Sequence, residues 1–447
     1  MKYIISTLGC KVNQFETQAM EAMLAAHGHE AAAPGEIADA VIVNTCAVTA
    51  ESGRKSRQTI RRLRDENPGA VVAVCGCYSQ LSPEESEEIG ASVIFGSADR
   101  AAFVAAVEKA VGEGVGQTKI DAPFRRRELE KLPAGVFSGR TRAMLKIQDG
   151  CVNFCTYCII PYTRGRLRSL PLDDAAAETA RLRDMAFREL VLTGIEVASY
   201  GVDLPGKPGL ADCIETVAAQ AGDMRIRLGS LEPTVITEDF CRRTAATGKL
   251  CRHFHLSLQS GCDRTLKAMN RKYDTARFYE AVELLRRYYP GCAITCDLIT
   301  GFPGETDADQ ADTLAFIEKC AFSAMHIFPY SRRPGTPADQ MPNQCPNALK
   351  AARAHEAQAV AAKMHRSFLE QSVGQTLPVL FETQEDGSVG HSDTYVLVKV
   401  PDTGLRGEVR DVKITGVDGD RLLGEVVLQG RPLIVPTTGE SRAERSF

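Results

Sequence analysis

The sequence predicts an α/β protein of three parts: a parallel sheet covered by helices, a partial barrel of strand–helix units, and a small antiparallel β-barrel. Strand-length apolar runs alternate with helical patterns through most of the chain. This alternation stops near Gly374, after which short alternating strand patterns follow one another. The 447 residues are enough for two or three domains with cores of their own.

The first part, assigned to residues 1–118, alternates four strand patterns with four helical patterns. Helical patterns lie near 13–27, 51–66, 82–89 and 99–111. Strand patterns lie at 3–7, 40–44, 70–74 and 92–95. Alternation of this length predicts a parallel sheet, and the Gly-, Pro- and charge-rich stretch that follows predicts a linker over 119–138.

The second part, assigned to residues 139–370, contains six further strand–helix units. Its predicted strands are 143–147, 189–192, 224–228, 253–258, 293–299 and 324–328. Six units are fewer than the eight of a closed barrel, so a partial barrel is predicted. Active sites of such folds lie in the loops after the strands.

The third part, assigned to residues 371–436, contains only strand patterns. They lie at 377–381, 394–400, 407–414 and 421–428, and predict a small antiparallel barrel of four or five strands. Between 371 and 430 the chain carries ten acidic and five basic residues, a poor match to phosphate. The polar tail 437–447 is predicted to be disordered.

Composition excludes several classes of protein. The chain is 44% hydrophobic and 25% charged, as in ordinary globular proteins, and it shows neither a signal peptide nor a membrane-spanning run. Fifteen cysteines without targeting favour the cytoplasm, and metal or redox chemistry over a disulfide framework. The net charge of −4 does not indicate a DNA-binding protein, so any RNA contact must be local.

Three cysteines at C-x3-C-x2-C spacing follow the first strand of the second part; we call Cys151, Cys155 and Cys158 the loop site. Three thiolates bind three irons of a 4Fe-4S cluster and leave the fourth iron open to a ligand. Structural zinc is the competing interpretation, but it takes four ligands and no second cysteine pair lies nearby. The spacing therefore favours a cluster that takes part in chemistry.

Three other cysteines each follow a predicted strand of the first part; we call Cys10, Cys46 and Cys77 the edge site. Carboxyl ends of parallel strands meet along one edge of a sheet, so these residues are predicted to converge. That arrangement supports a second three-thiolate cluster. Periodicity leaves Cys75 as a competitor of Cys77, because both lie near the end of one strand.

Taken together, these residues resemble the methylthiotransferases, radical S-adenosylmethionine (SAM) enzymes with two 4Fe-4S clusters. The matching motifs are 7–14, 43–46, 75–78, 151–158, 160–166, 256–261, 269–271 and 301–306. The resemblance selects Cys77 over Cys75. It implies a flavodoxin-like N-terminal domain, a radical SAM partial (β/α)6 barrel and a C-terminal TRAM barrel.

Within the family, the motifs resemble the threonylcarbamoyladenosine branch. They lie at 9–14, 192–196 and 326–336, and the first differs from the Gly-Gln-Met-Asn and Gly-Cys-Pro-Lys-Asn of two other branches. The branch implies methylthiolation of C2 of N6-threonylcarbamoyladenosine at position 37 of tRNA, in the anticodon loop. It also implies a flavodoxin- or ferredoxin-type electron donor. The alternatives are methylthiolation of a ribosomal-protein aspartate and a non-catalytic iron–sulfur electron carrier.

The resemblance also implies roles for individual residues. The loop-site cysteines are catalytic, since their cluster binds SAM and generates a 5′-deoxyadenosyl radical, and a methylsulfur unit associated with the edge site fills C2. Tyr157 is placed to pack on the adenine of SAM. Five strand-end residues could contact SAM or be ordinary strand-end groups: Gly194, Glu196, Glu232, Gln259 and Ser260.

A basic helix after Cys46 is the candidate RNA contact. Its predicted phosphate-binding residues are Arg54, Lys55, Arg57, Arg61 and Arg62. A solvated surface face is the alternative explanation. Residues 125–127, Arg164, Arg166 and Arg168 are expected to extend the patch.

Overall fold

The computed structural model of the protein describes residues 1–133 and 141–427. The end of the predicted linker, the last residues assigned to the C-terminal barrel (428–436) and the predicted disordered tail (437–447) lie outside the described residues. No helix in the described ranges is long and apolar enough to cross a bilayer.

The N-terminal part is a parallel sheet with helices on both faces. Its elements are β1 (Lys2–Thr7), α1 (Lys11–Ala26), β2 (Glu30–Ala31), β3 (Ala40–Thr45), α2 (Ala50–Glu66), β4 (Val71–Gly76), α3 (Cys77–Leu81), α4 (Pro83–Glu88), β5 (Val93–Phe95), α5 (Arg100–Glu113) and β6 (Gln117–Lys119). The strand order is β2-β1-β3-β4-β5-β6, and every neighbouring pair is parallel. This confirms the predicted sheet.

Two apolar cores cover the faces of this sheet. Ile42 packs in the core beneath α1 and α5, whereas Val41 and Val43 pack beneath α2. The central strand β3 is buried along its whole length, which is why it reads as a continuous apolar run. Strand β6 is polar and exposed, so its sequence shows no apolar run. It extends across the boundary predicted for the first part at residue 118.

The central part contains the six predicted strands in sequence order. Its elements are β7 (Arg142–Lys146), β8 (Gln148–Asp149), α6 (Ile160–Arg164), β9 (Arg168–Ser169), α7 (Leu172–Asp184), β10 (Glu189–Thr193), α8 (Leu210–Gln220), β11 (Arg225–Leu228), β12 (Ser230–Leu231), α9 (Glu238–Ala246), β13 (His253–Gln259), α10 (Asp263–Ala268), α11 (Thr275–Tyr288), β14 (Ala293–Thr300), α12 (Asp307–Cys320), β15 (Ala324–Pro329) and α13 (Asn347–Ser372).

These strands form an open barrel. Strands β7, β10 and β11 pair in parallel, and so do β12, β13, β14 and β15, with β12 continuing β11 beyond Gly229. In the described ranges β7 and β15 do not pair, which confirms the partial barrel. The antiparallel pair β8–β9 was not predicted; it closes the base of the loop that carries the loop site.

The C-terminal part is a closed barrel of five strands. They are β16 (Thr376–Glu385), β17 (Gly387–Ser392), β18 (Leu397–Val400), β19 (Val409–Asp418) and β20 (Arg421–Val426). Four of the five strand pairs are antiparallel as predicted, but β18 and β20 run parallel. Helix α13 leads into the barrel and crosses the predicted boundary at residue 370.

Arginines of the central part hold the barrel in place. Arg142 pairs with Glu382 at 2.7 Å, and Arg252 pairs with Asp393 at 2.7 Å. Arg227 is buried and donates to the backbone carbonyl of Ser392 at 3.1 Å. Some acidic residues of the barrel therefore bind arginines of the central part. This role explains part of the negative charge that makes the barrel a poor match to phosphate.

Candidate functional site

The loop site lies between β8 and α6, and a motif distant in sequence holds it there. The Nδ2 atom of Asn270 donates to the carbonyls of Asn153 (3.2 Å) and Phe154 (3.0 Å). The backbone N–H of Thr156 donates to the carbonyl of Met269 at 3.0 Å. The motif 269–271 thus fixes the shape of the cysteine loop.

The three thiols of the loop site interact with one another. Burial, with a smaller contribution from nearby Cys155, raises the pKa of Cys151 and of Cys158 to about 12. The Arg271 Nη1 atom donates to the Cys155 sulfur at 3.1 Å. Metal coordination removes the proton from a thiol outright, so bound iron would reverse the effect of burial.

Two predicted SAM-contacting carboxylates meet beside this loop. Asn153 Nδ2 donates to Glu232 at 2.9 Å and to Glu196 at 3.3 Å. Burial and the neighbouring Glu232 raise the pKa of Glu196 to about 7. Arg271 Nη2 lies 4.0 Å from Glu232 and is a buried polar atom without a hydrogen-bond partner among the described residues. Arg271 Nη2 can therefore donate a hydrogen bond to a ligand that binds beside these carboxylates.

A cavity of about 700 Å³ opens beside both cysteine sites. Three predicted cofactor-contacting residues line it: Tyr157, Gly194 and Gln259. Ser260 is 2% exposed, its hydroxyl accepts from the N–H of Cys262 at 3.2 Å, and it does not line this cavity. Its local hydrogen bond is a structural role, and its contact with SAM stays a prediction.

The edge site is assembled by the carboxyl ends of three neighbouring strands. Cys10 follows β1, Cys46 follows β3, and Cys77 follows β4. Although Cys10 is an exposed residue, desolvation by the protein around its sulfur, with smaller contributions from Cys77 and Cys46, raises the pKa of its thiol to about 11. Gly9 adopts φ +107°, and a Cβ there would lie 2.9 Å from the Cys46 sulfur, so glycine is required for this approach.

The two competing cysteines of β4 occupy different places. Cys75 packs in the core beneath α1 and α5, whereas Cys77 begins α3 next to the other edge-site thiols. Asn13, from the first motif, organises the site by donating to the carbonyls of Leu8 and Thr45, both at 3.0 Å. The sheet argument left these two cysteines open, and the structure brings to the edge site the one that the family resemblance selects.

A buried arginine joins the edge site to the loop site. Arg164, at the end of α6, donates from Nε to the Cys77 sulfur at 3.4 Å and from Nη2 to Asn13 Oδ1 at 3.0 Å. It also pairs with Glu16 and with Asp149. Burial opposes ionisation of Glu16, yet its neighbours Arg100 and Arg164 hold its pKa well below the usual value.

This network corrects part of the predicted RNA patch. Arg164 is fully buried and Arg168 is 2% exposed, where both face Asp149. They therefore cannot contact phosphate at the surface as expected from their spacing. Arg166 is exposed and remains a candidate.

The two cysteine sites lie next to each other. Ile159, the residue after Cys158, packs with Cys77, Ala47 and Tyr78 in one small apolar cluster. Two triads of thiols from separate parts of the chain thus share one wall, beside the same cavity.

Comparisons with known proteins agree with this arrangement. Residues 2–96 match the family described as Uncharacterized protein family UPF0004, and residues 145–317 match the Radical SAM superfamily. The chain is 36% identical over 416 residues to the threonylcarbamoyladenosine tRNA methylthiotransferase MtaB of Bacillus subtilis, covering 91% of this chain and 92% of that protein. It is 38% identical over 427 residues to the protein of that name from Chlamydia pneumoniae, covering 94% and 97%.

The chain belongs to the radical SAM methylthiotransferases. A relative from another branch, the tRNA-2-methylthio-N(6)-dimethylallyladenosine synthase of Pelotomaculum thermopropionicum, is 34% identical over 436 residues and covers 95% of this chain and 97% of that protein. Because relatives from two branches are similar to this chain to nearly the same degree, the similarity establishes the family and does not by itself assign the substrate. As a radical SAM methylthiotransferase, the chain is an enzyme that uses SAM and a 4Fe-4S cluster.

The fold also matches a more distant methyltransferase. TsrM of Kitasatospora setae, with tryptophan and a SAM analogue bound, superposes with a TM-score of 0.55 at 15% identity, covering 86% of this chain and 79% of that chain. At this identity the match shows the fold alone.

Both cysteine triads of the methylthiotransferase fit a 4Fe-4S cluster by their donor chemistry. In residues 1–133 and 141–427 no three His, Cys, Asp or Glu side chains are grouped for a single metal ion. That is compatible with a cluster, in which each thiolate binds a different iron. At each site one thiol accepts a hydrogen bond from a buried arginine, and such bonds tune cluster potentials.

The predicted RNA-binding helix is α2, and most of its cations are already paired. Glu51 pairs with Arg54 and Lys55, Arg57 pairs with Glu85, and Arg62 pairs with Glu66. Arg61 is exposed and has no ion pair within the described ranges. The contact of α2 with RNA therefore stays a prediction, with Arg61 as its best candidate.

Proposed function

We propose that this methylthiotransferase converts N6-threonylcarbamoyladenosine at position 37 of tRNA to its 2-methylthio derivative. The observation that carries the proposal is the pair of three-cysteine sites that lie next to each other at the wall of one cavity. The names of relatives such as those from Bacillus subtilis and Chlamydia pneumoniae support the threonylcarbamoyl substrate.

Each cysteine site has its own part in the proposed reaction. When loaded, the loop-site cluster with SAM supplies the 5′-deoxyadenosyl radical that abstracts hydrogen from C2, and the edge-site cluster supplies sulfur. Cys151, Cys155 and Cys158 hold the first cluster and leave one iron open. Cys10, Cys46 and Cys77 hold the second. A flavodoxin- or ferredoxin-type protein would provide the electron.

Residues around the loop site would bind and orient SAM. Glu196 and Glu232 lie where carboxylates can attract its positively charged sulfonium and ammonium groups, and Asn153 holds both of them in place. Tyr157 and Gln259 would line its adenosine, since both face the cavity. Buried Ile159 and Tyr78 exclude water between the two sites.

Aromatic side chains at the mouth of the cavity suit a purine substrate. Phe328 is 49% exposed, and its ring stacks with that of His326 at a centroid distance of 6.5 Å. Both line the cavity. Exposed rings of this kind stack on bases that are splayed out of the RNA. The base at position 37 would have to be splayed out to enter the cavity.

The ribosomal-protein alternative lacks a supporting observation in this structure. It was motivated by the acidic C-terminal barrel, but Glu382 and Asp393 of that barrel bind arginines of the central part. The curated relatives compared above act, by their names, on tRNA.

The direct test is anaerobic reconstitution with iron, sulfide, dithionite and SAM, followed by incubation with an anticodon stem-loop that carries threonylcarbamoyladenosine. Mass spectrometry of the nucleosides should show the 2-methylthio product and stoichiometric 5′-deoxyadenosine. Formation of 5′-deoxyadenosine without product would exclude this substrate. Absence of both would leave the electron-carrier hypothesis as the better account.

A further inference from the structure

The substrate cavity has one lysine on its wall whose charge the described protein does not neutralise. Lys11 lines the cavity beside Cys10, and it is the only Lys or Arg among the described lining residues. It forms no ion pair or hydrogen bond with another described residue. A cation in this position is free to bind an anionic group that enters the cavity.

The backbone around Lys11 makes a positive charge costly there. Lys11 is the first residue of the 16-residue helix α1, whose first turn contains no acidic residue. The N-terminus of a helix carries a partial positive charge, which repels a cation placed in the first turn. Helix stability alone would favour an acidic or neutral residue at this position.

Other cations add to this unfavourable field. Lys11 also lines a second cavity of about 370 Å³, together with Arg142 and Arg227. Glu189 and Glu382 on the same wall are already bound to arginines. Glu189 and Glu382 are therefore not available to neutralise Lys11, and Asp297, the carboxylate that lines the substrate cavity, lies against His255 at 3.3 Å.

The proposed substrate carries such an anion at the required place. C2 and C6, the carbon that carries N6, belong to the same six-membered ring of the purine, and sulfur must reach C2 from the edge site, which includes Cys10. The substituent on N6 must then lie close to that site, where the next residue along the chain is Lys11. The threonyl part of that substituent ends in a carboxylate.

We propose that Lys11 is a specificity-determining residue that binds the carboxylate of the N6-threonylcarbamoyl group. This inference rests on the proposed function. It assigns the recognition of the modification to a side chain next to a cluster ligand, rather than to the basic helix α2. A charge-assisted hydrogen bond of this kind contributes about tenfold to a hundredfold in affinity.

The test measures binding and chemistry separately on the cluster-loaded full chain. Three anticodon stem-loop RNAs are compared by fluorescence anisotropy: one with threonylcarbamoyladenosine, one with its methyl ester, and one with unmodified adenosine. The unaltered chain should bind the acid about tenfold or more tightly than the ester. Lys11→Met should abolish that preference and leave the affinity for unmodified RNA unchanged, whereas Lys11→Arg should retain most of it.

Controls separate a local effect from damage to the edge site. Iron content is measured for each variant, and Lys11→Gln replaces Lys11→Met if the latter loses iron. Lys109→Met, which removes a lysine 56% exposed on α5, should change nothing. If a charge-removing variant of Lys11 weakens all three RNAs equally, the lysine contacts backbone phosphate and the proposal is wrong. A preference that survives the removal of the charge overturns it as well.

The proposed function fails independently of these outcomes. If the unaltered chain binds the acid selectively but yields no 2-methylthio product, the function is wrong while the carboxylate site stands. If it forms the product but Lys11→Met keeps the preference for the acid over the ester, only the role of Lys11 is wrong.

Discussion

The two cysteine sites of this enzyme are built in opposite ways. The loop site draws its three thiols from eight consecutive residues, whereas the edge site draws them from the ends of three strands spread over 68 residues. Yet each is completed by one buried arginine, Arg271 at Cys155 and Arg164 at Cys77. The loop site can be recognised from the spacing of its cysteines alone. The edge site depends on the folding of the whole sheet and on contacts with the central part of the chain.

The largest expected effect separates the roles of the two sites. Replacing all three loop-site cysteines by alanine, or all three edge-site cysteines, should lower iron from about eight to about four per reconstituted chain, because we propose that each triad holds one four-iron cluster. Only the loop-site variant should lose 5′-deoxyadenosine formation; the edge-site variant should keep it and lose sulfur insertion. Iron analysis and product mass spectrometry measure both.

Cys75→Ala is the matched control for the triple variants, since this buried thiol lies on β4 but packs in the core. It should retain about eight irons. A loss of half the iron on this change would mean that the edge site uses Cys75.

The second effect tests the arginine that ties the sites together. Arg164→Ala should lower the stability of the chain by about 3–5 kcal/mol, because it leaves Glu16 and Asp149 buried with fewer partners. Urea denaturation followed by circular dichroism measures the change in midpoint. Arg166→Ala, an exposed arginine two residues away, should have little effect.

Arg164→Ala should also alter the absorption and reduction potential of the edge-site cluster alone, because its hydrogen bond goes to Cys77. Arg271→Ala is its counterpart and should alter the loop-site cluster alone. If both variants shift the same cluster, the two sites are not independently tuned.

Much of the fold and both cysteine sets could be predicted from the sequence, for physical reasons. Buried strands such as β3 read as continuous apolar runs, and the carboxyl ends of parallel strands must align. Arg164 and Arg271 could not be assigned, because their sulfur partners lie 87 and 116 residues away. Nothing in local spacing separates a buried arginine from a surface one, which is why Arg164 was expected at the RNA surface.

The third effect concerns Glu196, the carboxylic acid beside the loop site. Because the pKa of Glu196 is raised to about 7, chiefly by burial, it is protonated below that pH and charged above it. The charged form attracts the cationic SAM, so affinity for SAM should rise about tenfold as pH increases through 7. Calorimetric titration between pH 6 and 8 measures this.

Glu196→Gln should flatten that pH dependence, whereas Glu238→Gln, which changes an acid that is 61% exposed on α9, should preserve it. In the chain without SAM, folding stability changes with pH in the opposite direction to the affinity for SAM. The stability contributed by the protonated Glu196 is present below its unfolded-state pKa of about 4.5 and is lost as pH rises through about 7. Equal pH slopes for the two variants would rule out the proposed contact of Glu196 with SAM.

The smallest effect concerns the helix that follows the edge-site residue Cys46. Arg61→Ala on α2 should weaken binding of stem-loop RNA about twofold to threefold and reduce the slope of log affinity against log salt by about 1, because one phosphate contact is lost. The loss should be equal for modified and unmodified RNA, unlike that of a Lys11 variant. Arg62→Ala should do less, since Arg62 is held by Glu66 at 2.8 Å. A loss confined to threonylcarbamoylated RNA would mean that α2, and not only the cavity wall beside Cys10, recognises the modification.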